Sequence, residues 1–197
     1  MTVFGVDGLC ATRGGRVVVR DVDLCVTRGE VVALAGPNGS GKTTVLAALA
    51  GAEPLGGGEL TLDGHPIAAG TVAHWTLVHG VLADAGWLPG LTVLDHLALA
   101  SDRDRALQHL DLLGVAALAD RLPTSLSAGE RQRVRLADAS ARAWRVLLLD
   151  EPERHLDAGG RELLHGLLQR ARRRGPVVVA THDASVLATA DRVVELG

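Results

Sequence analysis

The apolar residues of the first 35 positions fall into short runs that suit strands. In "RVVVRDVDLCV", Val22, Leu24 and Val26 alternate with Asp21, Asp23 and Cys25, the period-two pattern of a sheet with one wetter face. "VFGVDGLCA" before it reads as a neighbouring strand. "EVVALAG" after it is a continuous apolar run, as a strand covered on both faces requires. That run ends in a glycine-rich loop and then in "KTTVLAALAG", a helix closed by Gly51. "GGGELTLDG" adds a short strand between turns.

From Thr92 to about Leu118 the apolar spacing changes to three and four, so "TVLDHLALA" and "RALQHLDLLGV" predict helices. "SAGERQRVRLADASARA" predicts another, and "RVLLLD" returns to a buried strand. A helix ("AGGRELLHGLLQRARRR"), a strand ("PVVVATHD"), a short helix and a last strand ("DRVVEL") follow. Strands alternating with helices predict an α/β fold with parallel crossovers, its sheet mixed by the N-terminal antiparallel strands. The stretch Thr92–Ala143 contains no strand, which predicts a small helical subdomain. With no repeat or low-complexity linker, the expectation is one domain over 1–197. Its core would span about 1–86 and 144–197, and its helical subdomain about 87–143.

Composition refines this picture. Hydrophobic residues make up 47% of the chain, yet it has three Trp, one Phe and no Tyr, so Val, Leu and Ala must pack the core. A formal net charge of −3 argues against a nucleic-acid partner held by the overall field. Arg170, Arg172, Arg173 and Arg174 close a helix, where cations suit the dipole, and are expected to be solvated. Cys10 and Cys25 lack metal-ligand spacing and are expected as buried free thiols in a reducing compartment. "MTVFGVDG" has no basic-then-apolar leader pattern. Gly64–Ala83 carries no Asp, Glu, Lys or Arg, but its His, Pro, Gly and Thr make a poor membrane span. The expectation is a cytoplasmic chain that meets a membrane only through a partner.

The chain keeps a single lysine among its twenty Lys and Arg, and it lies in "GPNGSGKTT". Gly36, Pro37, Asn38, Gly39, Ser40, Gly41, Lys42, Thr43 and Thr44 follow the G-x-x-x-x-G-K-[ST] phosphate-loop pattern, after a buried strand and at the start of a helix. Glycines let backbone N–H groups turn inward on an anion, and the helix start adds its positive end. An ammonium is a compact charge able to reach two phosphates, here from Lys42, while the Thr43 hydroxyl would complete a Mg²⁺ shell. "RVLLLDEP" supplies the carboxylates: Asp150 for the metal side, Glu151 to orient an attacking water.

With these motifs the chain resembles the ABC (ATP-binding cassette) ATPases among the P-loop NTPases. "SLSAGERQRV" before "VLLLDEP" is similar to the family's L-S-G-G-Q signature. Ser127 and Gly129 match, Ala128 replaces a Gly and Glu130 replaces the Gln. Ser127 and Glu130 also form an S-x-x-E capping box, which predicts a clean helix start. The resemblance implies that Ser127, Ala128, Gly129 and Glu130 meet the γ-phosphate of ATP bound to a second ABC subunit. It also implies that Asp157 of "ERHLD" lies across the dimer interface as the D-loop, and that His182 of "VVVATHD" contacts the γ-phosphate. "WLPGLTVLDHL" resembles the segment after the Q-loop.

Two positions depart from the family. Counting back from "LPGLTV" puts Ala83 where the Q-loop glutamine stands, and no Gln precedes Gln108; His79 and Asp84 are the nearby polar residues. Aligning "ATRGGRVV" puts Arg13 at the adenine-stacking aromatic, and an arginine face also stacks on a purine. The resemblance implies an ATP- and Mg²⁺-dependent ATPase subunit of a transporter. Its partners would be a second cassette subunit and an integral membrane permease, with no nucleic acid. The alternatives are a soluble non-transport ABC ATPase and a weakly active regulatory half of a cassette heterodimer.

Overall fold

The computed structural model of the chain describes residues 3–82 and 86–197. In chain order the strands are β1 (Val3–Arg13), β2 (Arg16–Thr27), β3 (Val31–Ala35), β4 (Leu55–Leu62), β5 (His65–Pro66), β6 (Val78–Val81), β7 (Val146–Asp150), β8 (Val177–Ala180) and β9 (Arg192–Glu195). The helices are α1 (Lys42–Leu49), α2 (Val72–Leu77), α3 (Val93–Ala98), α4 (Arg103–Leu112), α5 (Ala128–Ala141), α6 (Ala158–Arg174) and α7 (Ala184–Leu187). One sheet is antiparallel in the order β2-β1-β4-β5. The other is parallel throughout, in the order β6-β7-β8-β3-β9.

The continuous apolar runs of β3, β7 and β8 have their cause in this layering. Val31, Leu147, Leu149, Val177 and Val179 face one core, together with Leu97 of α3, Leu110 of α4, Leu136 of α5 and Leu168 of α6. The intervening Val32, Leu34, Val146, Leu148, Val178 and Ala180 face the other core. There they meet Val45 and Leu46 of α1 and Phe4, Leu24 and Leu60 of the antiparallel sheet. Every position of these strands is therefore buried, which removes any reason to alternate. The helices of the strandless stretch share their apolar core with one face of the parallel sheet rather than enclosing a separate one. Truncating a fully buried leucine such as Leu147 would cost about 2–5 kcal/mol.

Helix α1 ends as the Gly51 signal predicts. Ala52 N–H donates to Ala47 O at 2.9 Å and Gly51 N–H to Ala48 O at 3.0 Å, the paired bonds of a Schellman motif.

Two findings differ from the sequence expectations, and one fills a stretch for which they gave no elements. Within the uncharged stretch after Gly64 the fold places β5, α2 and the edge strand β6. At six and four residues, α2 and β6 are too short for periodicity to reveal. Among the described residues no helix is long and apolar enough to cross a membrane. Cys10 and Cys25 are free thiols but not buried ones: Cys10 is half-buried and Cys25 exposed. Cys25 lies on the wetter face of β2, between buried Leu24 and Val26. The arginine cluster is only partly solvated. Arg172 donates to Gly29 O and Asp191, both at 2.7 Å. Arg174 donates to Ser140 O at 2.8 Å and Arg142 O at 2.6 Å, with its guanidinium 4.0 Å from the Trp144 ring centre. These two arginines fasten the end of α6 to three neighbouring segments.

Candidate functional site

Strand β3 delivers the chain to the loop 36–41, and α1 begins with Gly41 in a left-handed conformation (φ 96°). No side chain caps this helix and its first turn holds no acidic residue. The backbone is packed too tightly for any other residue, since a Cβ on Gly41 would run into Val19 Cγ2. A helix start left without side-chain acceptors offers N–H groups and a positive dipole end to an outside anion. Ser40 Oγ in the same loop is buried and has no hydrogen-bond partner among the described residues. Lys42 is itself buried, its Nζ donating to Gly36 O at 2.8 Å and Pro37 O at 2.9 Å. The ammonium thus lies folded over the loop, held by two successive carbonyls at its start.

Across the sheet, β7 ends in Asp150, which is 4% exposed. Its Oδ1 accepts a hydrogen bond from Thr43 Oγ1 at 3.1 Å. A hydroxyl and a carboxylate meeting at the start of α1 are hard oxygen donors of the kind Mg²⁺ takes. Glu151 follows with φ 44°, rare for a residue other than glycine. Its N–H donates to Ala180 O at 2.9 Å, which fixes the turn against the end of β8. Glu151 Oε1 lies 3.6 Å from His182 Nδ1, and Oε2 lies 3.7 Å from Arg154 Nη1. A cleft of about 220 Å³ collects these groups: Asn38, Gly39 and Gly41 of the loop, Lys42, Thr43 and Thr44 of α1, and Arg13, Val18 and Glu151 from the facing side.

A second helix start lies on the other side of the turn 151–157. Ser127 caps α5: its Oγ accepts from Glu130 N–H at 3.2 Å, and Glu130 Oε2 accepts from Ser127 N–H at 2.7 Å. The bond from the Ser127 backbone holds the Glu130 carboxyl below its usual pKa. Gly129 approaches the turn so closely that a Cβ there would stand 2.8 Å from His155 O.

A family model described as "ABC transporter" matches residues 19–154. The chain belongs to the ABC transporter family. It is 42% identical to the aliphatic sulfonates import ATP-binding protein SsuB of Cupriavidus necator, over 91% of this chain and 61% of that one. It is 40% identical to the Fe(3+) ions import ATP-binding protein FbpC of Streptomyces coelicolor, over 98% of this chain and 59% of that one. The chain thus spans about three fifths of these relatives' length. A solved dimeric bacterial ABC transporter cassette superposes with a TM-score of 0.87 at 27% identity, covering 98% of this chain and 94% of that one.

Against this family background the remaining residues divide. Asp157 is exposed and caps α6, accepting from Gly160 N–H at 2.8 Å. Neither it nor Ser127, Ala128, Gly129 and Glu130 lines the cleft of its own chain. His182 does not line it either, but stands exposed beside Glu151. Ala83, the position that aligns with the Q-loop glutamine, and its polar neighbour Asp84 lie outside the described residues. His79 does not reach the cleft. It borders another cavity with Trp87, His96 and Asp138, and burial lowers its pKa to about 4.

Three residues at or beside the site escape a reading of the sequence alone. Val18 lines the cleft beside Arg13; the alternation of its strand puts it on the apolar side, so its exposure had no signal in the sequence. Gln132 is buried and its Nε2 donates to Pro152 O at 3.0 Å, joining α5 to the turn after β7. Glu153 is buried against Thr181, a pairing 28 residues apart that no local pattern marks.

Proposed function

We propose that the chain is the ATP-binding and ATP-hydrolysing subunit of an ABC transporter and drives a separate transmembrane permease. The observation that carries this reading is the convergence of Lys42, Thr43 and Glu151 on one cleft at the uncapped start of α1, with Asp150 bonded to Thr43 at its edge. In this reading the catalytic core (about 1–86 and 144–197) and the helical subdomain (about 87–143) form one ABC ATPase domain.

The loop from Gly36 to Gly41 and the first N–H groups of α1 bind the phosphates, and Lys42 exchanges its two carbonyl acceptors for phosphate oxygens. Thr43 and Asp150 hold Mg²⁺, which neutralises charge on the phosphates when bound. Glu151 orients the attacking water and takes up its proton. His182, 3.6 Å away, holds that carboxylate's position and the γ-phosphate end of the site. Arg13 lays its guanidinium face on the base, with Val18 as the apolar edge of the same platform. Ser127, Ala128, Gly129 and Glu130 serve the ATP of a second cassette subunit, with Asp157 at the same interface.

That division is consistent with their absence from the chain's own cleft. The subunit works at the cytoplasmic face of the membrane through its permease and uses no nucleic acid. The relatives named above import different cargoes, sulfonates and Fe(3+), so the reading extends to an importer whose cargo is chosen by the permease.

The test is capture of the Glu151→Gln chain from detergent-solubilised cells with ATP and Mg²⁺, followed by identification of what co-purifies. A polytopic membrane protein is the expected result. Ribosomal or DNA-repair proteins without one would overturn the transporter reading and leave the ATPase.

A further inference from the structure

We propose that Glu153 is a positioning residue for hydrolysis: it anchors the Thr181 hydroxyl, and through it the turn that presents His182 to Glu151. The proposal rests on the reading of His182 as a participant at the phosphate end of the site.

The geometry is a closed loop between two strand ends. On one side, β7 runs into Glu151-Pro152-Glu153; on the other, β8 runs into Thr181-His182-Asp183. The backbone joins them at Glu151 N–H to Ala180 O, 2.9 Å. One turn further on, side chains join them again, Thr181 Oγ1 donating to Glu153 Oε1 at 2.6 Å. Thr181 Oγ1 also accepts from Asp183 N–H at 3.0 Å. The hydroxyl therefore spans His182, gripping the residue after it while bonded to the turn that bears Glu151. Asp183 is fixed in its own right as the cap of α7, accepting from Ser185 and Val186, and it pairs with Arg161. Every neighbour of His182 is tied down, while its own ring stays exposed and free to meet a ligand.

Glu153 is a costly way to fill this position. It is 4% exposed, Thr181 is fully buried, and Oε2 of Glu153 has no hydrogen-bond partner among the described residues. A carboxyl taken out of water with half its hydrogen-bonding capacity unmet lowers stability relative to a leucine of similar volume. Burial accordingly pushes its pKa up. A packing role gains nothing from such a group. What the carboxyl supplies, and leucine does not, is an acceptor that fixes the rotamer of Thr181 and hence the backbone on both sides of His182. Misplacing a group at a reacting centre by an ångström costs up to about a hundredfold in rate. A hydrogen bond that sets the direction of the His182 turn is therefore worth its local cost.

The experiment measures Mg²⁺-dependent ATP hydrolysis by the whole purified chain, for Glu153→Leu, Thr181→Val and Glu153→Gln, each with and without His182→Ala. Glu153→Leu and Thr181→Val are expected to lower kcat roughly tenfold with little change in KM. Glu153→Gln, which keeps an acceptor for Thr181, is expected to recover to within about threefold of the unmodified chain. In the His182→Ala background, Glu153→Leu is expected to cause no further loss, because both changes act through the same group. An equal loss in both backgrounds, or a Gln variant as impaired as the Leu variant, would overturn the proposal. Thr181→Val carries the test should Glu153→Leu fail to fold. If His182→Ala itself leaves kcat unchanged, the reading of His182 fails and the proposal falls with it. If His182→Ala lowers kcat and Glu153→Leu adds independently, only the proposal fails.

Discussion

Two helices of this protein begin beside the same turn, and they begin in opposite ways. Helix α5 satisfies itself: Ser127 and Glu130 bond each other's backbone N–H groups in a complete capping box. Helix α1 starts at a left-handed glycine with no side-chain cap and no acid in its first turn. A cap is worth about 1 kcal/mol to a helix, so leaving it out at α1 sacrifices stability where the N–H groups are needed for something else. The buried ammonium of Lys42 stands over that open start, whereas α5 closes its own with a carboxylate. In the proposed function, the difference separates a helix end that receives an anion within its own chain from one whose role is played on the partner's nucleotide.

This contrast can be broken in several ways. The largest effect is expected at the open end. Glu151→Gln should lower kcat by about 10²–10⁴-fold while ATP binding is kept, because the amide cannot take a proton from water. Steady-state turnover alongside nucleotide titration checks it, and hydrolysis at the original rate would remove Glu151 from its role. Next, Gly41→Ser would put a side chain at the open, left-handed start of α1 and force a Cβ into Val19. The expected result is loss of ATP binding together with about 1–3 kcal/mol of stability, read by titration and denaturant melts.

Ser127→Ala removes the cap that exists. It should cost about 1 kcal/mol and lower the turnover of the assembled dimer, yet leave the ATP affinity of the separate chain intact. The smallest effect concerns acid. Glu130 has its carboxyl held below the usual 4.5 by its bond from Ser127. Its contribution is therefore present above pH 4.5 and is lost as pH falls through the lowered folded value. The stability gap between the unmodified chain and Glu130→Gln should close on acidification below that point. At α1 no titratable cap exists, so no matching loss arises there.

How far the sequence revealed all this depends on the range of the interaction concerned. Helix α6 occupies Ala158–Arg174, the segment the sequence reading assigns to a helix. The continuous apolar strands and the capping box of α5 were equally visible, because each is specified by neighbouring residues. The roles of Arg172 and Arg174 were not, since their acceptors lie on Gly29, Ser140 and Arg142, brought near only by the fold. Edge strand β6 was hidden by its length of four residues. The exposure of Cys25 was legible after all: the alternation of β2 puts it on the side of Asp21 and Asp23. At the site, Lys42, Thr43, Asp150 and Glu151 each carried a motif. Val18, Gln132 and Glu153 carry no motif, and their places beside the site needed the structure.

The central claim is that the uncapped start of α1, with Lys42 over it, is the triphosphate site. Titration of Mg-ATP into the purified chain and into Lys42→Ala tests it most directly, with thermal melting to confirm that both are folded. Loss of a charge-assisted contact to phosphate should weaken binding by about 10–100-fold. Equal affinities for two equally folded proteins would contradict the account.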